Sequence, residues 1–342
     1  MTRMGEPIAY RPAKYLAAIT LAFFVCAPAA PAAAADFVMK FGTATFNESQ
    51  HQYIKFFKEA VEKASGGRIE VGIYPRSELG PIPRMIDGLQ LGTIEAYIGP
   101  ADFYVGADPR YGVFSTPILF KHNDHASATV LDPALNEYIL DLGLPKGFVG
   151  LGTFGLGSSN YAAKSPIVRL TDFAGKKLRV NATAMEREKM RRLGATAVPM
   201  PLNEVLPSLQ RGVIDGTMSG TSVFVSMKFN DVVKVVTVTN DTMLVSLAVV
   251  SKVWFDKLPA DLQKIVIAAG RETQVKTSAW EKEFTKSLTK TWSDMGGQLH
   301  TLPPEDLAKM ADLLRSVGDD VSKDQPAVIE LLQKVRAVAA KH

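Results

Sequence analysis

Arg179 is the side chain whose setting most demands chemistry. It lies within Leu178-Arg179-Val180, an apolar run read as a strand, where a guanidinium removed from water without an anion is heavily penalised. Two partners meet that demand. One is an internal Asp or Glu; the other is a bound carboxylate, held by two parallel hydrogen bonds that arginine's planar fork matches and lysine does not. Ligands of open α/β sheets collect beyond the carboxyl ends of strands. Phe46 and Asn47, Phe103 and Tyr104, and Ser219 are expected at such ends, although each also reads as a helix cap or a core side chain.

Other constellations are weaker. Gly150-Leu151-Gly152-Thr153-Phe154-Gly155 has the G-x-G-x-x-G spacing of a dinucleotide site. The residues after it, Gly157-Ser158-Ser159-Asn160 and then Ser165-Pro166, read as an extended, turn-rich segment, so the helix N-terminus that would face a phosphate is missing. His122-Asn123-Asp124-His125 sets two imidazoles beside a carboxylate, yet no third ligand stands near, and Asn and Asp are ordinary helix caps. His51, His300 and His342 are scattered, and no serine sits in a G-x-S-x-G elbow. No nucleophile is assembled with its base, so neither an enzyme nor a cofactor or metal is expected.

The elements that must position Arg179 occur twice. Leu89-Gln90-Leu91-Gly92-Thr93-Ile94-Glu95 is nearly repeated by Leu209-Gln210-Arg211-Gly212-Val213-Ile214-Asp215, each a helix end, a glycine stop and a new strand. Hydrophobic spacing gives β-α-β-α-β in both copies. The first runs from a strand at Val38–Thr45, its helix capped by Asn47 with Ser49, to a strand at 93–99. The second runs from a strand at Lys177–Asn181 to one at 213–218. Strands joined by helical crossovers pair parallel. The expected fold is therefore α/β with two lobes, each a mostly parallel sheet flanked by helices. An apolar strand at Leu244–Val250 returns toward the first lobe. One uninterrupted helical pattern from Leu258 to Met295 would be about 55 Å long and bridge both lobes. The expected division is residues 36–155 with about 243–284, and residues 156–242 with about 285–342.

Composition permits a soluble two-lobe protein: 46% hydrophobic and 22% charged over 342 residues. Arg3, Arg11 and Lys14 precede an apolar run, then Ala33-Ala34-Ala35, the pattern of an export signal cleaved near Ala35. The run is too short for a membrane span. Cys26, the single cysteine, falls inside that signal. Without residues 1–35 the formal charge falls from +4 to +2, too balanced for nucleic acid.

Several ordered motifs together resemble one family. Ser65-Gly66-Gly67-Arg68-Ile69-Glu70-Val71, Tyr74-Pro75 with Glu78-Leu79-Gly80, Thr116-Pro117-Ile118-Leu119-Phe120, Gly175-Lys176-Lys177-Leu178-Arg179-Val180, Pro199-Met200, and the repeated stretches above are similar to the extracytoplasmic solute receptors of tripartite ATP-independent periplasmic (TRAP) transporters, in the dicarboxylate-receptor family. The resemblance implies two lobes closing over a ligand in the periplasm, with Arg179 on the substrate carboxylate. It also implies delivery to TRAP membrane permease subunits by a receptor that does not span the membrane, here expected to act as a monomer. A binding protein of an ATP-driven importer, or a sensor for an organic acid, is the alternative.

Departures from the family pattern bear on the substrate. Phe154-Gly155-Leu156-Gly157 supplies no second arginine, Pro100 replaces an acid, and Asp215-Gly216-Thr217-Met218-Ser219 makes a less polar edge. These favour a monocarboxylate with an apolar or aromatic body. The expected binding set is Arg179, Ser219, Asn240, Asn47, Tyr104, Phe46, Ser158 and Phe154.

Overall fold

A computed structural model describes Met1, residues 35–181 and residues 183–342. The export signal and Cys26 therefore lie outside the described residues, apart from Met1 and Ala35.

The first copy of the repeat comprises β1 (Phe37–Gly42), α1 (Ser49–Ala64), β2 (Ile69–Tyr74), α2 (Ile82–Leu91) and β3 (Ala96–Pro100). Its strands pair parallel in the order β2-β1-β3. The helix α1 is capped otherwise than expected. The Glu48 carboxylate accepts from the amides of Gln50 and His51 at 3.1 Å, while Asn47 sits outside the helix at φ 51°. A carboxylate satisfies two orphan amides at once and complements the positive end of the helix dipole.

Two short helices come next, α3 (Asn123–Leu131) and α4 (Pro133–Asp141), then a long strand, β4 (Phe148–Ala163). The His122 side chain caps α3 by accepting from the His125 amide at 3.1 Å. The expected caps, Asn and Asp, instead occupy its first turn. The G-x-G-x-x-G glycines all lie in β4, and space explains them. A Cβ on Gly150 would strike the Leu140 backbone of α4, and one on Gly155 would strike Asn123 and Ser127 of α3. They let helices approach the strand, a packing role rather than a phosphate cradle.

The second copy is β5 (Lys177–Val180), α5 (Ala184–Arg192), β6 (Thr196–Pro199), α6 (Leu202–Arg211) and β7 (Gly216–Gly220). Its parallel order, β6-β5-β7, reproduces the first copy strand for strand. The glycine stops also match in detail. Gly92 and Gly212 adopt φ of 73° and 74°, and in each case the next residue's amide returns to the fifth residue before it. Thr93 donates to Gly88 and Val213 to Ser208, both at 2.9 Å, the bond that a left-handed residue after a helix makes possible.

The remaining elements join the copies. After α7 (Thr221–Ser226) and β8 (Val235–Val238), β9 (Met243–Ser251) inserts antiparallel between β3 and β4. The strand β4 pairs with β9 through its first part and with β7 and β8 through its last. The sheet is thus mixed: each repeat is parallel, β8 also pairs parallel with the strand Gln298–Thr301, and the joins between these parts are antiparallel. A short helix, α8 (Lys252–Phe255), leads to α9 (Ala260–Asp294), 35 residues long and so about 52 Å at 1.5 Å per residue. Leu262, Val266 and Ala269 near its start join the core around Phe41, Tyr53 and Phe57, whereas Trp292 near its end packs with Phe224 and Phe229 in the other core. The chain finishes with β10 (Gln298–Thr301), α10 (Pro304–Leu314), α11 (Val317–Ser322) and α12 (Pro326–Ala339). No helix among the described residues is long and apolar enough to cross a membrane.

Candidate functional site

The carboxyl ends of strands from both copies surround one cavity of about 450 Å³, counting its mouth. Ala44 and Thr45 follow β1, Pro100 ends β3, Arg179 and Asn181 come from the end of β5, and Met218 and Ser219 from β7. Ile82 and Leu202, the first residues of α2 and α6, occupy equivalent places in the two copies. Gln50, Phe103, Leu156, Ser159, Val223 and Leu244 complete the wall. Apolar groups dominate it, and Arg179 is its one charge among the described residues.

Arg179 is 1% exposed. Its Nε donates to the Met200 carbonyl at 2.9 Å, which fixes the plane of the guanidinium, while its buried Nη2 has no hydrogen-bond partner among the described residues. Burial pushes its pKa down to about 10, opposed by the charges of Glu186 and Asp102, so it remains cationic at neutral pH. A second orphan lies in the same wall: the Ser159 hydroxyl is buried and unpartnered among the described residues. A guanidinium edge and a hydroxyl in an apolar cavity can hold one carboxylate, since both donate.

Two buried acids act on the guanidinium charge. Asp102, in the 3-10 turn Ala101–Gly106 after β3, accepts from the Asn181 side-chain amide at 2.9 Å and the Ser115 hydroxyl at 3.2 Å. Burial and the nearby Glu186 push its pKa up to about 7, against the lowering effects of those hydrogen bonds and of Arg179. Glu186, in the first turn of α5, accepts from the Asn181 backbone amide at 2.9 Å. On the opposite wall the Thr45 hydroxyl donates to Glu48 at 2.5 Å and lies 3.2 Å from the Gln50 side-chain oxygen, holding the polar edge of the first copy in place.

The expected binding residues divide. Arg179 and Ser219 line the cavity. Phe46 lines an adjoining open recess that shares Ala44 and Thr45 with the cavity; there it lies between the His51 ring and the Arg76 guanidinium. Asn47 and Asn240 are exposed, both with left-handed backbone. Tyr104 is fully buried among Tyr97, Tyr111 and Phe148, and its neighbour Phe103 faces the cavity instead. Phe154 is buried against Tyr53, and Ser158 is bonded to Asn160 while Ser159 faces the cavity. Thr45, Gln50, Ser159, Asn181 and Asp102 were not singled out by sequence reasoning. For Thr45 and Gln50 the polar residues flanking the end of β1 were the available signal. No group of three or more His, Cys, Asp or Glu among the described residues could hold a metal.

Known proteins share the family and the fold of this chain. Residues 41–324 match the model of DctP, bacterial extracellular solute-binding protein, family 7. The chain is 30% identical over 288 residues to the C4-dicarboxylate-binding periplasmic protein DctP of Rhodobacter capsulatus, covering 83% of this chain and 85% of that one. It is 27% identical over 325 residues to the 2,3-diketo-L-gulonate-binding periplasmic protein YiaO of Escherichia coli, covering 89% and 99% respectively. Among solved structures, a TRAP periplasmic solute-binding protein of Sulfurospirillum deleyianum with bound succinate superimposes with a TM-score of 0.82, at 26% identity over 89% of this chain and 99% of that one.

Proposed function

Because the chain belongs to bacterial extracellular solute-binding protein family 7, a family of transport components and not of enzymes, we propose that it is the periplasmic receptor of a TRAP transporter. It captures a small organic carboxylate between its lobes and delivers it to the membrane permease. Arg179 supplies the charged contact and Ser159 and Ser219 are the nearby hydroxyls. The observation that carries this reading is the buried Arg179 Nη2, without a hydrogen-bond partner among the described residues, in a cavity that both copies of the repeat enclose.

The relatives support the ligand class, since their names and bound molecules are C4-dicarboxylate, diketogulonate and succinate. The apolar wall of Ile82, Phe103, Leu156, Leu202, Val223 and Leu244 favours a carboxylate with an apolar or aromatic body. The lobes are taken to divide at 155/156, 242/243 and 284/285. Ligand contacts from both sides then favour the closed arrangement, because only a ligand with differential contacts shifts such an equilibrium.

The test is a thermal-shift screen of organic acids followed by calorimetry on the wild type and R179A. A carboxylate that binds the wild type in the micromolar range and loses about a hundredfold in R179A supports the reading, since charged hydrogen bonds contribute about 1.5 to 3 kcal/mol. Equal binding by both proteins sinks the role of Arg179.

A further inference from the structure

The cavity that Arg179 lines has two neighbours of opposite charge. One is the recess beside Phe46, which shares Ala44 and Thr45 with the cavity wall; among the described residues that line it, Arg76 and Lys228 are the charged ones and none is an acid. The other shares Ile82 and Phe103 with that wall, and the charged residue among its lining is the acid Asp87. Both recesses abut the cavity, yet a carboxylate is attracted to the first and repelled from the second.

The first recess is built as well as charged. Arg76 stands in the turn after β2, where its backbone amide donates to the Thr45 carbonyl at 3.2 Å and that of Ser77 donates to Thr43 at 3.0 Å. These bonds fasten the turn to the end of β1 at the cavity wall. The Arg76 guanidinium lies 4.4 Å from the centre of the Phe46 ring, which stacks on the His51 ring at 4.9 Å. Burial, helped by Lys55, holds the His51 pKa down at about 4, so the imidazole is neutral at pH 7. Lys228 comes from beyond the second copy, just after α7, where the Met227 amide donates to the carbonyl of the cavity residue Val223 at 3.0 Å. Neither cation is paired with an acid among the described residues. Arg76, Ser77 and Lys228 all have left-handed backbone, at φ 53°, 59° and 56°. That conformation is costly for a residue with a Cβ and persists where its surroundings impose it, often at functional turns.

We infer that Arg76 and Lys228 form an outer anion site, where a solute carboxylate is captured before it passes Thr45 and reaches Arg179. The inference rests on the carboxylate reading of the cavity and adds the route by which that cavity fills. Arg179 is 1% exposed and so meets only a solute that is already inside. The chain as a whole carries little net charge, +4 over 342 residues, so attraction of an anion from solvent depends on where cations are placed. Two cations lining one recess concentrate an anion there and raise its on-rate, an effect that salt screens over about 8 Å at physiological ionic strength.

Two nitroxides of one shape, 3-carboxy-PROXYL and its neutral amide 3-carbamoyl-PROXYL, are the first probes, used on R179A so that the inner cation cannot hold the acid. The carboxylate should relax the amide protons of Arg76, Ser77 and Lys228 at least about twofold more than the neutral nitroxide does, and those near Asp87 less. The excess should vanish in about 0.5 M salt and when R76Q and K228Q are added. Equal relaxation by the two nitroxides at Arg76 and Lys228 overturns the inference. The second probe is ¹³C-formate, whose on- and off-rates are read by relaxation dispersion. R76Q/K228Q, which changes two exposed side chains, should lower the on-rate at low salt by about threefold or more and flatten its salt dependence, whereas D87N should not lower it. An unchanged on-rate in R76Q/K228Q overturns the inference, and so does a loss lying wholly in the off-rate, since that would put the pair on the bound anion. If R179A abolishes formate binding while R76Q/K228Q behaves as the wild type, only the outer site fails. If R179A binds formate as well as the wild type, the assignment of the carboxylate to Arg179 fails.

Discussion

The side-chain amide of Asn181 donates to the carboxylate of Asp102 at 2.9 Å, joining the residue after β5 in the second copy of the repeat to the turn after β3 in the first. The bond exists only while the two copies are close. Asn181→Ala removes it without altering the charge of the site. Ligand affinity should fall several-fold, matching about 1 kcal/mol for one hydrogen bond, and small-angle scattering of the ligand-free protein should show a larger radius. An unchanged radius and unchanged affinity would mean that the bond contributes nothing to closure.

Arg179→Lys keeps a cation but loses the planar fork and the Nε that donates to Met200 at 2.9 Å. Binding of the cognate carboxylate should weaken by at least about tenfold, with the melting temperature little altered. Comparable affinity in the lysine variant would argue that the charge alone suffices.

Lys189 and Asp241 form an ion pair at 2.8 Å with both side chains at most 1% exposed, and Asp241 also accepts from Tyr161 at 3.2 Å. Removing one partner leaves a buried charge uncompensated, so Asp241→Ala should cost about 3 to 5 kcal/mol in urea unfolding. The double variant K189M/D241L should be less destabilised than D241A alone. A D241A protein as stable as the wild type contradicts the assignment.

Glu281 of α9 is buried, accepts from Ser49 and from Thr285, and burial raises its pKa to about 8. The folded state thus holds a proton that the unfolded chain releases nearer its ordinary value of 4.5. Stability from this group is fully present below that lower value and is lost as pH rises through the folded value, by about 1.4 kcal/mol per unit at most. Glu281→Gln should remove this decline and be the more stable protein at pH 8. Parallel melting curves for the two proteins across pH 5 to pH 8 would refute it.

How much of this was legible in the sequence depends on what kind of signal each residue carries. The repeat was readable because a glycine stop leaves a local mark, and Gly92 and Gly212 stop their helices in the same way. Arg179 was readable because a charge inside an apolar strand is costly wherever it occurs, and it lines the cavity. Ser159 was not, because strand alternation is interrupted: the β4 register shifts between Gly155 and Ser158, with Gly157 at φ 89°. That irregularity decides which of two adjacent serines faces inward. The neighbouring choices at Tyr104 against Phe103 and at Asn47 against Glu48 turn likewise on one residue of phase in turns that have no period. Asp102 carries no local mark, since its importance comes from Asn181 and Arg179, which are 79 and 77 positions away.

The helix α9 is bedded at one end among Phe41, Tyr53 and Phe57 and at the other beside Phe224 and Phe229, and none of its residues lines the cavity or the recess at its mouth. It therefore acts as the spine of a book whose pages cannot slip past each other. On the proposed closing of the lobes, solute would enter and leave on the side away from α9, and a change that stiffens or kinks α9 is expected to alter exchange rates without touching a residue of the cavity wall.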